Sequence, residues 1–367
     1  MAKLGNPIPI PSTPAVIRSA VGDDAEALVA YLCKVTTQSD NLTFEADETD
    51  AFANEHHFLD TLEASENSLA LLAMIEGNIV GNLTFMGGKR PKSAHTGEFG
   101  ITVDREHWGK GIARALLAAM IEWAENSNIT KINLEVRSDN HRAIRLYQTY
   151  GFIEEGLLKR ALVLNGEPFD LLCMGLGIGT APPHVPIGEI PQRRTPLPRP
   201  VVIREMNSND AQEVLSLVEN IARGTPFLEI GQEGLGIGLT DEKMILSHYA
   251  KSDRKLYLGA SMEHVGLVGL LAFTAGERRR TYHAGEFSLM VDQRWRRNGI
   301  GTALLQRMVN WAVYAGIKRI TLRVHGENRE AISLYQSFGF SREAVVSRAF
   351  LEGSSYYDAV VMSLLLD

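Results

Sequence analysis

The spacing of apolar residues predicts alternating strands and helices along most of the chain. Residues 97–103 form an apolar, β-branched run typical of a strand, and a short polar turn with Gly109 and Gly111 follows it. Residues 112–125 then carry apolar side chains at helical spacing. A strand, a glycine turn and a helix N-terminus in this order predict an anion-binding cradle, because the first-turn N–H groups and the helix dipole favour negative charge.

The same pattern occurs a second time, 188 positions later in the sequence. The register runs without a gap from residues 95–170 onto residues 283–358. Solenoid repeats are only about 20–50 residues long, so a repeat of this length indicates a duplicated domain.

Further elements follow from the same periodicities. The first copy is predicted to contain a strand at 16–18, a helix at 19–33, partial helix within 43–66 and a hairpin at 69–75 and 79–86. After the helix at 112–125 come a strand at 131–136, a helix from Asn140 to Tyr150 and closing strands at 157–164 and 169–176. Residues 201–364 repeat this plan. We therefore expect two mixed α/β domains at residues 15–180 and 201–367, a flexible arm at 1–14 and a proline-rich linker at 181–200.

Composition narrows the range of partners. The chain has 367 residues, 45% of them hydrophobic, and its net charge of −7 argues against nucleic acid. No apolar run has the length of a membrane span, and the first residues lack the plan of a signal peptide. Cys33 and Cys173 have no metal-ligand spacing and are expected to be reduced core thiols. The sequence thus favours a cytoplasmic protein without metal, membrane or nucleic-acid contact.

The charge is unevenly distributed between the two halves. No lysine or arginine occurs between Val35 and Gly88, whereas acidic residues accumulate from Asp40 to Glu66. This stretch is either a set of solvated loops and helix faces or a field that attracts a cationic partner.

Two motifs make the repeat specific. The cradle reads Trp108-Gly109-Lys110-Gly111-Ile112-Ala113 in the first half and Arg296-Arg297-Asn298-Gly299-Ile300-Gly301 in the second. Downstream, each half carries Asn-x₆-Tyr-x₃-Gly-Phe, starting at Asn140 and at Asn328. Over nearly the whole chain, twice, this order of motifs resembles the GNAT family of N-acetyltransferases, whose cradle is Q/R-x-x-G-x-G/A. Trp108 departs from that pattern, and we expect the loss of one side-chain contact there.

The resemblance implies a fold, a co-substrate and a set of binding residues. Each half is expected to have a twisted, mostly antiparallel central sheet flanked by helices. Acetyl-CoA would place its pyrophosphate on the cradle and its pantetheine arm along the strand edge, while each asparagine either reaches that arm or only caps its helix. The implied residues are Ile101, Val103, Gly109, Lys110, Gly111, Ile112, Ala113 and Asn140, then Leu289, Val291, Arg296, Arg297, Asn298, Gly299, Ile300, Gly301 and Asn328.

Acyl transfer to an amine also needs a base and an acid. A lysine-like ammonium with a pKa near 10.4 must lose a proton before it attacks. The resemblance assigns this task to Glu98 and Glu286, which are otherwise strand glutamates facing solvent or an arginine. It assigns protonation of the departing thiolate to Tyr147 and Tyr335, which are otherwise core tyrosines.

Three further groups have candidate roles, and for two of them the sequence leaves alternatives open. A backbone N–H such as that of Val103 or Val291 would hold the oxyanion. His95 and His283 either steer the substrate or end the loop before the strand. Residues 278–280, all arginine, either contact the adenosine 3′-phosphate or an anionic partner, or belong to a solvated loop.

We therefore predict a tandem N-acetyltransferase that moves an acetyl group from acetyl-CoA to a primary amine by direct attack, because neither cysteine lies in the motifs. In the alternative, one half is a non-catalytic acyl-CoA-binding or scaffold domain that regulates the other. The acceptor is expected to be a small-molecule or peptide amine, cationic if the acidic stretch attracts it. We expect a monomer whose halves pair internally, and a homodimer remains open.

Overall fold

The computed structural model describes residues 7–10, 13–42, 55–179, 201–230 and 234–366. The first half contains β1 (Ile8–Pro9), β2 (Val16–Ser19), α1 (Ala25–Thr36), α2 (Glu55–Ala64), β3 (Leu69–Ile75), β4 (Asn78–Gly87), β5 (Thr96–Val103), α3 (Ile112–Glu125), β6 (Lys131–Arg137), α4 (His141–Thr149), β7 (Ile153–Leu164) and β8 (Glu167–Gly177). The second half contains β9 (Val201–Glu205), α5 (Ala211–Gly224), α6 (Leu239–Lys251), β10 (Lys255–Met262), β11 (Gly266–Ala275), β12 (Ala284–Val291), α7 (Ile300–Tyr314), β13 (Arg319–His325), α8 (Arg329–Ser337), β14 (Ser341–Glu352) and β15 (Ser355–Leu365).

All strands belong to one 15-stranded sheet with the order β1-β2-β3-β4-β5-β6-β8-β7-β14-β15-β13-β12-β11-β10-β9. Among the described strands, only the pairs β5–β6 and β12–β13 are parallel. The predicted mixed α/β class with a mostly antiparallel sheet is confirmed. The structure adds that the sheets of the two halves are continuous, because β7 pairs with β14.

The predicted elements agree with the observed ones except near the N-terminal side of each domain. The predicted helix at 19–33 begins later, at Ala25, after a 3₁₀ turn. Within the predicted arm, Ile8 and Pro9 pair with β2 and Ile10 is buried. The predicted linker and part of the acidic stretch (residues 43–54) lie outside the described residues. No described helix is long and apolar enough to cross a membrane.

The helices cover both faces of the sheet. α3 packs Leu116 and Leu117 against one face, with the odd-numbered side chains of β5. On the opposite face, α1 packs Leu28 and Leu32 against β3 and β4. The second half repeats this arrangement with α7 and α5. A separate apolar cluster joins the halves and comprises Leu158, Leu162, Leu171, Cys173, Ala344, Val346, Ala349, Phe350, Ala359 and Val361.

Reciprocal polar contacts fix the junction between the halves. His95 Nε2 donates to the carbonyl of Arg348 at 2.9 Å, and His283 Nε2 donates to the carbonyl of Arg160 at 2.8 Å. Both histidines therefore have a structural contact at the end of the loop before the strand.

Buried ion pairs flank the same junction. Lys131 pairs with Glu155, and at the equivalent position Arg319 pairs with Glu343 at 2.5 Å. Each cation also reaches the other half, since Lys131 donates to the Ser347 hydroxyl at 2.8 Å and Arg319 donates to a β7 carbonyl. Removing one partner of a buried ion pair costs about 3–5 kcal/mol in the free energy of unfolding. Because each paired cation also donates a hydrogen bond to the other half, these residues hold the two halves in one orientation.

We expect Gly156→Ala to destabilise the protein at this junction. A Cβ at Gly156 would lie 2.3 Å from the Cα of Ala344, so β7 and β14 would have to separate. Overpacking of this kind costs about 1–3 kcal/mol in the free energy of unfolding, which urea denaturation measures. The control is Gly100→Ala on β5, whose Cβ would meet no heavy atom within 4 Å. Equal midpoints for the two variants would contradict the prediction.

Candidate active site

The central feature of each half is a split between two parallel strands. The pairing of β5 with β6 ends at Glu98 and Asn133, although both strands continue. In the second half, the pairing of β12 with β13 ends at Glu286 and Thr321. One edge of β5 and of β12 is thus left without a strand partner beyond this point, within the described residues.

The main-chain groups at this edge point into the split. Asp104 N–H donates to the carbonyl of Val80 on β4 at 3.0 Å. Because main-chain groups alternate in direction along a strand, Ile101 and Val103 direct their N–H and C=O groups away from β4 and into the split. The same argument applies to the second half, where Asp292 N–H donates to a β11 carbonyl at 3.0 Å and the groups in the split are those of Leu289 and Val291.

The cradle at the end of the split has the backbone conformation that the motif predicts. Gly109 and Gly111 both have φ of +81° and Gly299 has φ of +76°, which is the left-handed region that favours glycine. No side chain of the described residues caps α3 or α7, so their first-turn N–H groups face outward from Gly111 and Gly299. These donors suit a phosphate.

Arg297 is the exception in the second cradle. It stands at the position of Gly109 with φ of +65°, a conformation that costs about 1–2 kcal/mol for a residue with a Cβ. Its guanidinium donates to Glu330 on α8 at 3.0 Å, which holds the turn in place. The cation therefore remains beside the predicted pyrophosphate site.

Trp108 makes the same hydrogen bond within the protein as Arg296, its equivalent in the second half. Trp108 Nε1 donates to the carbonyl of Val103 at 2.7 Å, and Arg296 Nε donates to the equivalent carbonyl of Val291 at 3.2 Å. The indole N–H thus reaches the same strand-end acceptor as the guanidinium, and the expected loss of a side-chain contact with the pyrophosphate stays a prediction. Arg105 and Arg142 lie 5.7 and 5.1 Å from the indole ring.

The two motif asparagines act as helix caps. Asn140 Oδ1 accepts from Ala143 N–H, and Asn328 Oδ1 accepts from Ala331 N–H, both at 3.2 Å. The capping alternative accounts for both residues, and a contact with the pantetheine arm stays a prediction. Lys110, Ile112, Ala113, Asn298, Ile300 and Gly301 complete the two cradles in sequence.

The two candidate acids are buried beside the split. Tyr147 packs edge-on against Phe99 with ring centroids 5.7 Å apart, and Tyr335 packs in the same way against Phe287. Burial raises the pKa of Tyr147 to about 12 and raises the pKa of Tyr335 further. Both phenols therefore keep their protons at neutral pH. Neither hydroxyl has a hydrogen-bond partner among the described residues.

The candidate bases lie on the other face of the sheet. Tyr31 on α1 shares a hydrogen bond of 3.1 Å with Thr102, so Thr102 and, by alternation, Glu98 face α1. Tyr147 contacts Phe99 and hence lies on the α3 face. Glu98 and Tyr147 thus flank the split from opposite sides, and both Glu98 and Glu286 are exposed.

Sequence reasoning missed two residues of opposite charge at equivalent positions of the two halves, Glu135 on β6 and Arg323 on β13. Both side chains are exposed, and neither has an ion pair or hydrogen bond with a described residue. Although the side chain is exposed, desolvation of its carboxyl by surrounding residues and the charge of Glu98 raise the pKa of Glu135 to about 7, against the pull of Arg323. Glu286 also acts on Glu135, so the two splits lie near one another. Comparison of the two copies at the 188-residue offset would have revealed this opposition.

The loops on the α1 and α5 faces are held by the opposite half. Arg280 is buried and donates to the carbonyls of Asp40 at 2.7 Å and of Leu42, just after α1. Lys92, at the equivalent position, donates to the carbonyl of Pro226 after α5. Arg280 therefore has a structural role and is not part of a solvated loop, while a contact of residues 278–280 with the adenosine 3′-phosphate or an anionic partner stays a prediction.

One group of possible metal ligands occurs among the described residues, namely Asp104, Glu106 and His107. Asp104 already accepts from Lys34 Nζ at 2.5 Å and from Gln38 Nε2 at 3.1 Å. The lysine charge occupies the place that a metal cation would take, and we derive no metal site from this group.

The chain resembles known acetyltransferases. A model of the acetyltransferase (GNAT) family matches residues 35–152 and again residues 229–340. L-amino acid N-acetyltransferase AaaT of Escherichia coli K12 is 37% identical over 122 residues, which cover 33% of this chain and 75% of that protein. Spermidine N(1)-acetyltransferase of Vibrio cholerae is 32% identical over 110 residues, which cover 30% of this chain and 56% of that protein. A solved GNAT-family acetyltransferase from Streptococcus pneumoniae is 31% identical, with a TM-score of 0.43 over 45% of this chain and 99% of that one.

We expect Glu135→Gln to flatten the pH dependence of stability. The pKa of Glu135 is about 7 in the folded protein, against an ordinary value of 4.5. The folded state therefore holds this proton more tightly, and its stabilising contribution is complete below the ordinary pKa and is lost as the pH rises through about 7. Urea denaturation at a series of pH values should show a smaller loss for Glu135→Gln than for the wild type. The control is Glu125→Gln on an exposed position of α3, and a Glu135→Gln curve parallel to that control would contradict the prediction.

Proposed function

Since the chain belongs to the acetyltransferase (GNAT) family, and is an acetyl-CoA-dependent N-acetyltransferase, we propose that both halves acetylate primary amines, each in its own ternary complex. The observation that carries the proposal is the repeated split, with an open strand edge, an uncapped helix N-terminus and a glutamate and a tyrosine on opposite sides.

The residues of each split fit acetyl-CoA. Its pyrophosphate suits the first-turn N–H groups after Gly111 and Gly299, where an added Cβ at Gly111 would meet no heavy atom within 4 Å. Its pantetheine amides suit the main-chain groups of Ile101 and Val103, because an extended chain can pair with an open strand edge. The bound thioester supplies the activated acetyl group.

In the proposed reaction the amine approaches from the α1 face. Glu98, directly or through a water molecule, accepts the proton of the ammonium, and the free amine attacks the carbonyl carbon. The N–H of Val103 faces the split and is placed to hold the oxyanion. Tyr147, still protonated at neutral pH, donates a proton to the departing thiolate. Glu286, Val291 and Tyr335 have the same tasks in the second half.

Direct attack is favoured over an acetyl-cysteine intermediate. Both cysteines are free thiols, and Cys33 lies on α1. Cys173 is buried on β8, where burial and the nearby carboxylates of Glu135 and Glu155 raise its thiol pKa. A thiol that keeps its proton is a poor nucleophile. Reduced thiols also suit our proposal of a cytoplasmic protein.

The alternative, in which one half only regulates the other, has one observation in its favour. Arg297 strains the second cradle, whereas the first cradle uses glycine at that position. We favour two working halves because the open strand edge, the helix N-terminus without a side-chain cap, the glutamate and the tyrosine recur in both. We further propose a monomer, since the β7–β14 pairing and the apolar cluster at the junction are formed within one chain.

Isothermal titration calorimetry should find two acetyl-CoA molecules per chain. Gly111→Glu and Gly299→Glu each place a carboxylate against one pyrophosphate site, and each should reduce the stoichiometry to one. The matched control is Gly77→Glu in the β3–β4 turn, which also has a left-handed φ of +82° and open space around its Cβ. One site in the wild type would favour the regulatory alternative, and no binding would contradict the proposal.

Tyr147→Phe should lower kcat of the first half about 10²-fold or more, because a general acid contributes about 10²–10⁴-fold. The measurement uses the Gly299→Glu background, in which only the first half is active, and follows the release of CoA thiol. Tyr150→Phe is the control, since the Tyr150 hydroxyl donates to the carbonyl of Arg114 at 2.7 Å, outside the split. Tyr335→Phe is tested in the same way in the Gly111→Glu background. Full activity of Tyr147→Phe would show that this phenol only packs.

A further inference from the structure

The two residues of opposite charge lie where an amine would enter each split. Glu98 is paired with Asn133, and Glu135 follows two residues later on the same face of β6. At the corresponding point on β5, Gly100 leaves open space, since an added Cβ would meet no heavy atom within 4 Å. Glu135 therefore borders the approach to Glu98. By the same register, Arg323 borders the approach to Glu286.

The approach in the first half presents hydrogen-bond acceptors. Asn133 Oδ1 is buried and has no partner among the described residues. The same is true of Asn82 Oδ1 on β4, which lies opposite Thr102 on the α1 face. Buried polar groups are normally hydrogen-bonded, so these acceptors suit a ligand rich in N–H donors. Above about pH 7, where it is ionised, the carboxylate of Glu135 adds a negative charge beside them.

The approach in the second half presents donors. Leu270 and Thr321 stand at the positions of Asn82 and Asn133, and both amide acceptors are thereby lost. The next residue on the same face of β13 after Arg323 is His325, which is 3% exposed. Its Nδ1 accepts from the N–H of Glu327 at 3.2 Å, so Nε2 carries the proton.

The Nε2 proton of His325 has no acceptor among the described residues. Burial lowers the pKa of this imidazole and keeps it neutral, and the ring packs among Phe227, Phe350 and Tyr357. In the first half the equivalent residue, Arg137, has its donors occupied by Asp139 and by a loop carbonyl. The second half thus has a guanidinium at the approach and, two residues further along the same face of β13, an imidazole N–H without a partner among the described residues.

We propose that Glu135 and Arg323 select acceptors of opposite charge: the first half takes an amine that carries a second cationic group, and the second half takes an amine that carries a carboxylate or another anionic group. This inference rests on the proposed function of both halves. It names Glu135 and Arg323 as specificity-determining residues, with Asn133 and His325 as their hydrogen-bonding neighbours.

The two charges do not neutralise one another by direct contact. No ion pair joins Glu135 and Arg323 within 4 Å, although each lies within the electrostatic reach of the other. A charged side chain held near the opposite charge but without a partner attracts a complementary group on a ligand. At a solvent-accessible site, the attraction between this side chain and an opposite charge on the ligand is strong enough to change the binding affinity tenfold or more.

The test compares three amines of equal chain length: butylamine, 1,4-diaminobutane and 4-aminobutanoate. The full chain is used in the Gly299→Glu background to report on the first half and in the Gly111→Glu background to report on the second. The quantity measured is kcat/KM for each amine, and the release of CoA thiol is the assay signal. The first half should favour 1,4-diaminobutane over 4-aminobutanoate, and the second half should show the reverse order.

Neutral variants of similar shape assign these preferences to the two residues. Glu135→Gln should reduce the ratio of diamine to amino acid in the first half at least about tenfold, and Arg323→Gln should reduce the opposite ratio in the second half by as much. Each substitution should affect its own half more than the other. Butylamine, which lacks the second charge, should change little and thereby shows that the variant is folded and active.

Ratios that do not respond to either substitution, or the same preference in both halves, would overturn the inference while leaving the proposed function intact. Should acetyl-CoA bind while none of the three amines reacts, calorimetric titration of the diamine and the amino acid into the CoA-saturated protein decides the question. Binding with the expected preference supports the inference, and binding without preference overturns it. If the wild-type protein neither binds acetyl-CoA nor turns over any amine, the proposed function is overturned as well.

Discussion

The parting of β5 from β6 is the constraint on which the rest of the structure depends. Two parallel strands that pair over only three residues leave main-chain donors and acceptors that need other partners. Trp108 in one half and Arg296 in the other satisfy the carbonyl at the strand end, which leaves the groups before it directed into the split. The cradle, the buried phenol and the glutamate are all positioned relative to this opening.

The junction between the halves determines how the two openings meet. β7 and β14 touch at Gly156 and Ala344, and the paired contacts of His95 and His283 lock that register. The loops after the first helix of each half are anchored by a cation from the other half. The residues that border each amine approach therefore come from one half, while a cation of the other half anchors the adjacent loop. We expect that neither half, expressed alone, would keep this loop in the same position.

The sequence alone predicted those features that have local causes. Helix α3 matches its predicted bounds because apolar periodicity and a left-handed glycine both mark its start, and Asn140 caps α4 as its position indicated. The contact of Trp108 was beyond prediction, since an indole reproduces the hydrogen bond of an arginine only in three dimensions. The continuous sheet depends on one close approach at Gly156, which leaves no periodic signal.

The fusion of both copies into one chain has a consequence for the residues at the junction. In a two-fold symmetric dimer every residue near the axis faces its own copy, so a charge placed there always meets a like charge. One chain that encodes both copies is free of this restriction, and Glu135 and Arg323 occupy equivalent places with opposite sign. Duplication followed by divergence therefore gives this fold a polarity across its axis that no assembly of identical subunits can have.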